Sequence, residues 1–290
     1  MQESQLQPLS LQKPVNSLSN FSLGRLEDLE SFIDSTSNRV RGVQSGLPLF
    51  DAQLKGLQGI VGILGGPKAC KSTLALQIAL YNAHAGNPVL FVDRENGLMH
   101  MRERIICSNF NVCWSDFCKA TDEQKARAFQ KLPQNFFLVN APFTMESLYD
   151  WVALLVEGSP TGKAVLVIDS LHKLPMEMDN MRSSVDKWLL FLDELKLRHN
   201  RKLTIIVTCE KARGKYDGAF KDGAKESGRI EYTLEQQLDM RNEDGNIILE
   251  CTYNRHGPVG DRLYFEPVYS KPGDKWSFLF KLKEREVVNL

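Results

Sequence analysis

The residues best suited to chemistry form one run, Gly65-Gly66-Pro67-Lys68-Ala69-Cys70-Lys71-Ser72-Thr73. Gly65, then Cys70, Lys71 and Ser72 after a four-residue gap, follow the Walker A template at every fixed position but one. A short apolar run, Ile60 to Leu64, precedes the glycines, and a helical pattern from Lys71 to His84 follows them. Where a strand ends, glycines curl the backbone and a helix begins, amides and the helix N-terminus surround anionic phosphates. Lys71 would reach the outer phosphates and Ser72 would ligate magnesium. The expected ligand is a nucleoside triphosphate, ATP with Mg2+. Cys70 stands where the template has its last glycine. A cysteine fits there if its φ is negative, and a thiol beside phosphates and Lys71 is a candidate oxidation site.

Two carboxylates complete the expected chemistry. Asp169 ends the apolar run Ala164 to Ile168, and a carboxylate at the C-terminal end of a buried strand faces the crevice where ligands bind. It would hold magnesium through water, the Walker B role. Glu95 lies just past the strand ending at Asp93, read as the neighbour of the phosphate-loop strand, where it would orient the attacking water. Asp93 is its rival.

Alternating elements must position these groups. After Lys71 to His84 come a strand at Pro88 to Asp93 and a helix around Leu98 to Ser108. A second helix is expected at Ser115 to Gln130, with Ser115 as its cap. A strand at Phe136 to Val139 and a helix at Met145 to Val156 opened by Thr144 follow. After the Asp169 strand come a helix at Ser184 to Arg198 and a strand at Leu203 to Thr208. Continuous apolar strands alternating with helices predict a mainly parallel sheet covered on both faces. Leu238 to Arg241, Ile247 to Tyr253, Arg262 to Phe265 and Trp276 to Phe280 read as an antiparallel C-terminal extension of that sheet. Residues 1 to about 20 read as a mobile tail, and Leu23 to Ile33 as a short amphipathic helix. The division expected is an N-terminal arm, 1–41, and a single domain, 42–290.

Bulk composition narrows the class. The chain has 290 residues, with 36 Lys plus Arg against 36 Asp plus Glu, so no whole-molecule field steers it to nucleic acid or membrane. No apolar run approaches the roughly 20 residues of a membrane span, and no secretory signal is visible. The six cysteines match no zinc pattern and read as free thiols of a cytoplasmic protein.

With Walker A, Asp169 and Glu95 in place, the chain resembles RecA-type motor domains, and among them the C-terminal ATPase domain of DnaB-type replicative helicases. The likeness spans about residues 42 to 268. Ser45-Gly46-Leu47-Pro48-Leu49-Phe50-Asp51 is similar to that family's lead-in to the phosphate loop. Glu95 followed by Arg104, and Asp169-Ser170-Leu171, match further segments. The most specific are Glu226-Ser227-Gly228-Arg229-Ile230-Glu231 and Arg255-His256-Gly257-Pro258-Val259-Gly260. The resemblance implies a RecA-like P-loop NTPase fold and a homo-oligomeric, hexameric ring with ATP between neighbours. It makes Arg255 an arginine finger on the adjacent subunit's γ-phosphate, Glu210 the polar sensor after the fourth strand, and the arm at 23 to 38 a linker-type helix. Departures are Tyr253, where the family has Lys, Glu210, where it has Gln, and the lack of room for a large N-terminal domain.

Residues 211 to 225 gather Lys211, Arg213, Lys215, Lys221 and Lys225 with three glycines, Tyr216 and Phe220. Such a segment can track phosphates and stack on bases; the resemblance places it in the ring's channel, on single-stranded DNA. The function expected is an ATP-driven DnaB-like helicase or translocase in replication, an ATP hydrolase whose partners include an initiator, loader or primase. The alternatives are a non-motor RecA-superfamily ATPase in recombination, repair or regulation, and a nucleotide-binding loader or scaffold with weak hydrolysis.

Overall fold

The computed structural model describes residues 42–211, 229–243, 245–257, 259, 262–269 and 279–285. The tail and the helix expected at Leu23 to Ile33 lie outside them, as do Glu226, Ser227, Gly228, Pro258 and Gly260.

Helix α1 (Pro48–Leu54) leads into β1 (Gly59–Gly65), α2 (Lys71–His84), β2 (Val89–Asp93) and α3 (Leu98–Phe110). Then come α4 (Trp114–Lys119), α5 (Asp122–Gln130), β3 (Phe136–Val139), α6 (Met145–Glu157), β4 (Ala164–Asp169) and α7 (Met181–His199). The chain continues through β5 (Leu203–Glu210), α8 (Arg229–Thr233), β6 (Gln236–Glu243), β7 (Asn246–Asn254), β8 (Leu263–Tyr269) and β9 (Leu279–Arg285). The strands form one sheet in the order β3-β2-β4-β5-β1-β6-β7-β8-β9. From β3 to β6 every pairing is parallel, and from β6 to β9 every pairing is antiparallel. The expected class, an α/β fold with a parallel centre and an antiparallel C-terminal extension, is the one observed.

The apolar runs earn their central places. All residues of β1, β2 and β4 are buried, as both faces of a parallel sheet require. One face packs on α1, α2 and Met101 of α3; the other packs on α6, α7 and Ile230 of α8. Helix α7 presents Val185, Trp188, Leu189, Leu192 and Leu195 at spacings of three and four, each burial contributing about 1.5–3 kcal/mol. Strand β9 folds back over α2: the Gln77 side chain pairs with both backbone groups of Leu282, at 2.9 and 3.1 Å. Glu284 accepts the Leu49 and Phe50 amides at the start of α1, each at 3.0 Å.

Several boundaries differ from expectation. Ser115 to Gln130 is two helices, because Thr121 closes a capping box with Gln124 and opens a new helix. Helix α7 starts at Met181, where Asn180 accepts the Ser183 amide. Helix α1 had no sequence signal strong enough to claim it. The last strand is shifted to Leu279–Arg285, and residues 276–278 of the strand expected from Trp276 to Phe280 lie outside the described ones. Strand β2 is not the neighbour of β1, since β4 and β5 lie between them.

Candidate functional site

That strand order lines up four C-terminal ends. Asp93 of β2 is in register with Asp169 of β4, and Glu210 of β5 with Gly65 of β1. Each expected site residue of the core therefore sits at the same end of the sheet, the crevice end of a parallel α/β fold.

Gly65 closes β1 at a point where a Cβ would stand 2.4 Å from the Met240 carbonyl oxygen. Only glycine admits that approach of β6. Lys68 and Cys70 both carry positive φ, 62° and 65°. The negative φ under which Cys70 would fit without strain is thus not found. Its backbone takes the left-handed conformation the template reserves for glycine, at a cost of about 1–2 kcal/mol for an L-residue. Burial pushes the Cys70 thiol up, against the opposing charges of Arg104 and Lys71. Burial thus disfavours the thiolate, the form that oxidation consumes.

From the first turn of α2, the Lys71 ammonium donates to the Gly65 carbonyl at 3.0 Å and the Gly66 carbonyl at 2.9 Å. Burial lowers its pKa, while Glu210, Glu95 and Asp169, in that order, act in the other direction. Three expected site carboxylates therefore act on the charge of the one lysine. Ser72 donates its hydroxyl to Asp169 Oδ1 at 3.0 Å. Thr208, one strand over, donates to the same oxygen at 2.6 Å. Asp169 is fully buried, and burial pushes its carboxyl up despite hydrogen bonds from Thr208 and Ser72.

Asp93 is spoken for. Its Oδ1 accepts the Glu95 and Asn96 amides and the Asn96 side chain, and its Oδ2 accepts the Gly97 amide and the Asn140 side chain. It ties down the loop after β2, leaving Glu95 as the exposed carboxylate of that loop.

Thr208, Asn96 and Asn140 were not singled out in the sequence. A threonine in an apolar strand and asparagines in loops carry no motif; only the fold brings them to the carboxylates.

Arg255 lies elsewhere. Its amide donates to the Glu235 carbonyl at 2.8 Å, and its guanidinium to the Tyr253 hydroxyl and the Tyr232 carbonyl, each at 3.3 Å. The Glu235 carboxylate gathers Lys196 at 3.1 Å, His256 at 3.0 Å and Arg255 at 3.9 Å. The Arg255 side chain remains 46% exposed. Glu210 ends β5 against Gly65. Lys211 pairs through its ammonium with the buried Asp239 at 2.8 Å; Arg213, Lys215, Lys221 and Lys225 lie outside the described residues.

Ser72 and Asp169 set a hydroxyl and a buried carboxylate side by side at the start of α2. These hard oxygen donors suit magnesium, which prefers oxygen ligands and keeps part of its water shell. The loop amides, Lys71 and the helix N-terminus suit phosphates.

No protein-family model matches the sequence, and no curated protein matches it. Solved structures do. An ATPase domain superposes with a TM-score of 0.69 at 16% identity, covering 84% of this chain and 94% of that one. A DnaB-like replicative helicase, described together with its interactions with primase, gives 0.68 at 16% identity, covering 85% of this chain and 65% of its own. A KaiC-like protein from the hyperthermophilic archaeon Pyrococcus horikoshii gives 0.57 at 21% identity, covering 85% of this chain and all of the other. The chain has the fold of the RecA-like ATPases, and its structure matches DnaB-like helicase ATPase domains at low identity.

Proposed function

We propose that the protein is a ring-forming ATP hydrolase that moves along single-stranded DNA, in the manner of a DnaB-like replicative motor. In this reading residues 42–290 are the ATPase unit and 1–41 an arm. The observation that carries it is the convergence of Lys71, Ser72, Asp169 and Glu95 at one end of the sheet.

The chemistry follows from these side chains. The amides of 65–73 and the N-terminus of α2 receive the phosphates, and Lys71 leaves the Gly65 and Gly66 carbonyls for the outer phosphate oxygens. Ser72 and Asp169 would hold magnesium, which would neutralise charge developing on the phosphates. Glu95 orients the attacking water and accepts its proton. Glu210, at the strand end opposite Gly65, senses whether the outer phosphate is present. Arg255 reaches the γ-phosphate held by the next subunit. The basic residues Arg213, Lys215, Lys221 and Lys225 grip the strand, Lys211 at the base of that segment being paired with Asp239, and an initiator, loader or primase is the class of partner expected.

The test is the ATPase rate with and without single-stranded DNA, read beside the mass in solution. DNA-stimulated turnover by an oligomer supports the motor. Nucleotide binding with unstimulated, slow turnover points instead to the loader or scaffold, the reading that the left-handed Cys70 favours.

A further inference from the structure

The hydrogen bonds around Asp169 close into a circuit. Ser72 donates to Asp169 Oδ1 at 3.0 Å. Asn96 Nδ2 donates to Asp169 Oδ2 at 3.3 Å and to Asp93 Oδ1 at 3.0 Å. Asn96 Oδ1 accepts from Arg104 Nη1 at 3.2 Å. Arg104 Nη2 donates to Thr73 Oγ1 at 3.0 Å, and Thr73 adjoins Ser72. The circuit joins α3, the loop after β2, the end of β4 and the first turn of α2.

We propose that Arg104 is a positioning residue for magnesium, acting through Asn96 on Asp169; this rests on the ATP–magnesium reading above. An asparagine amide has a donor end and an acceptor end. A guanidinium only donates, so Arg104 fixes the Asn96 oxygen towards itself and the amino group towards the two carboxylates. The reversed amide would set its oxygen against two carboxylate oxygens and its N–H groups against the guanidinium. Asn96 thereby occupies Asp169 Oδ2, Thr208 and Ser72 share Oδ1 at 2.6 and 3.0 Å, and contacts on both oxygens fix the carboxylate plane. The second arm of Arg104 fixes the start of α2 relative to that carboxylate. A planar fork with two N–H groups in fixed geometry can serve both acceptors; an ammonium of similar charge cannot hold both in that geometry. Partners of this outer kind set metal affinity by about 10- to 100-fold.

The experiment uses a fluorescent ATP analogue carrying a mant group on the ribose, bound to the full chain in EDTA and across a magnesium titration. Arg104→Lys should raise the half-saturating magnesium concentration by about tenfold or more, while affinity in EDTA stays within about twofold of the parent. Asn96→Ala should do the same. The double variant should be no worse than either single one, because both break the same path. A melting curve shows whether each variant is folded; if Arg104→Lys is not, Asn96→Ala decides. An unshifted magnesium requirement in the deciding variant overturns the proposal, and so does an equal loss in EDTA. Lys71→Ala is measured in parallel. If it binds the analogue like the parent, the nucleotide reading itself is overturned. If it loses binding while magnesium dependence is unshifted in the deciding variant, only the role of Arg104 is.

Discussion

Arg255 and Lys71 stand at opposite ends of the central sheet. The Arg255 amide hydrogen-bonds to Glu235, whose own amide hydrogen-bonds to Ile60 near the start of β1. Lys71 begins the helix after the glycines that finish the same strand. About five residues of strand, roughly 17 Å, lie between, which is beyond the reach of one side chain. An Arg255 acting on a γ-phosphate must therefore act on another subunit's.

Mixing makes that measurable. Arg255→Ala should bind nucleotide like the parent and lose hydrolysis by about 10³-fold or more. Lys71→Ala should lose binding. Subunits of the two variants, mixed equally, should recover activity at about a quarter of their interfaces, those pairing an intact loop with an intact finger. Mixed samples as inactive as either variant alone would sink the trans arrangement.

Glu235 holds the base of that arginine, and Gly59 makes room for it. A Cβ on Gly59 would stand 1.6 Å from Glu235 Oε2, at a backbone φ of 66°. Gly59→Ala should therefore push Glu235 off Lys196 and His256. The left-handed backbone alone costs about 1–2 kcal/mol, and broken buried ion pairs add to it. Hydrolysis should fall while nucleotide affinity holds, since Gly59 is at the far end of β1 from the loop. Equal loss of both in titration and turnover assays would mean that the change spreads through the whole sheet.

The sequence disclosed the parts of this site that are local and missed those made by topology. The loop at 65–73 and the strand ending at Asp169 are contiguous, and their chemistry follows from spacing. The sequence placed Glu95 ahead of its rival Asp93 without a reason visible there, because that reason lies in Asn96 taking Asp93 Oδ1 and Asn140 and Gly97 taking Oδ2. Thr208 reaches Asp169 only because β5 lies beside β4. The split at Thr121 was readable in principle, since Thr121 and Gln124 have capping-box spacing, but the surrounding helical pattern masked it. The sign of φ at Cys70 has no signature in a side chain.

Cys70→Gly tests that last feature. Glycine relieves the left-handed cost of about 1–2 kcal/mol and gives back about 0.5–1 kcal/mol through the freer unfolded chain. The net gain, between zero and about 1.5 kcal/mol, should raise the melting temperature by about 2–4 °C for each 1 kcal/mol. Nucleotide should also bind more tightly, the loop then matching the template throughout. A lower melting temperature in thermal denaturation followed by circular dichroism would show that packing of the half-buried thiol outweighs the backbone.

Lys71 ties stability to pH and to ligand. Burial depresses its pKa in the folded chain, so the folded state favours the neutral amine more than the unfolded state does. Its contribution is fully present above the unfolded value of about 10.4 and is lost as pH falls through the lower folded value. Without nucleotide, the parent should gain stability as pH rises through that window, and Lys71→Met should not. Lys196 behaves oppositely. Burial lowers its pKa, but the hydrogen bonds it donates to Asp193 and Glu235 more than reverse this, so its contribution is present below about pH 10.4 and lost as pH rises through the higher folded value. The difference between parent and Lys71→Met isolates Lys71, because Lys196 is common to both. At neutral pH, ATP with magnesium at about 100 times its dissociation constant should stabilise the parent by about 2.7 kcal/mol. Lys71→Met should show no such gain in melting experiments; an ATP-dependent rise equal to the parent's would place the phosphates somewhere other than the loop at 65–73.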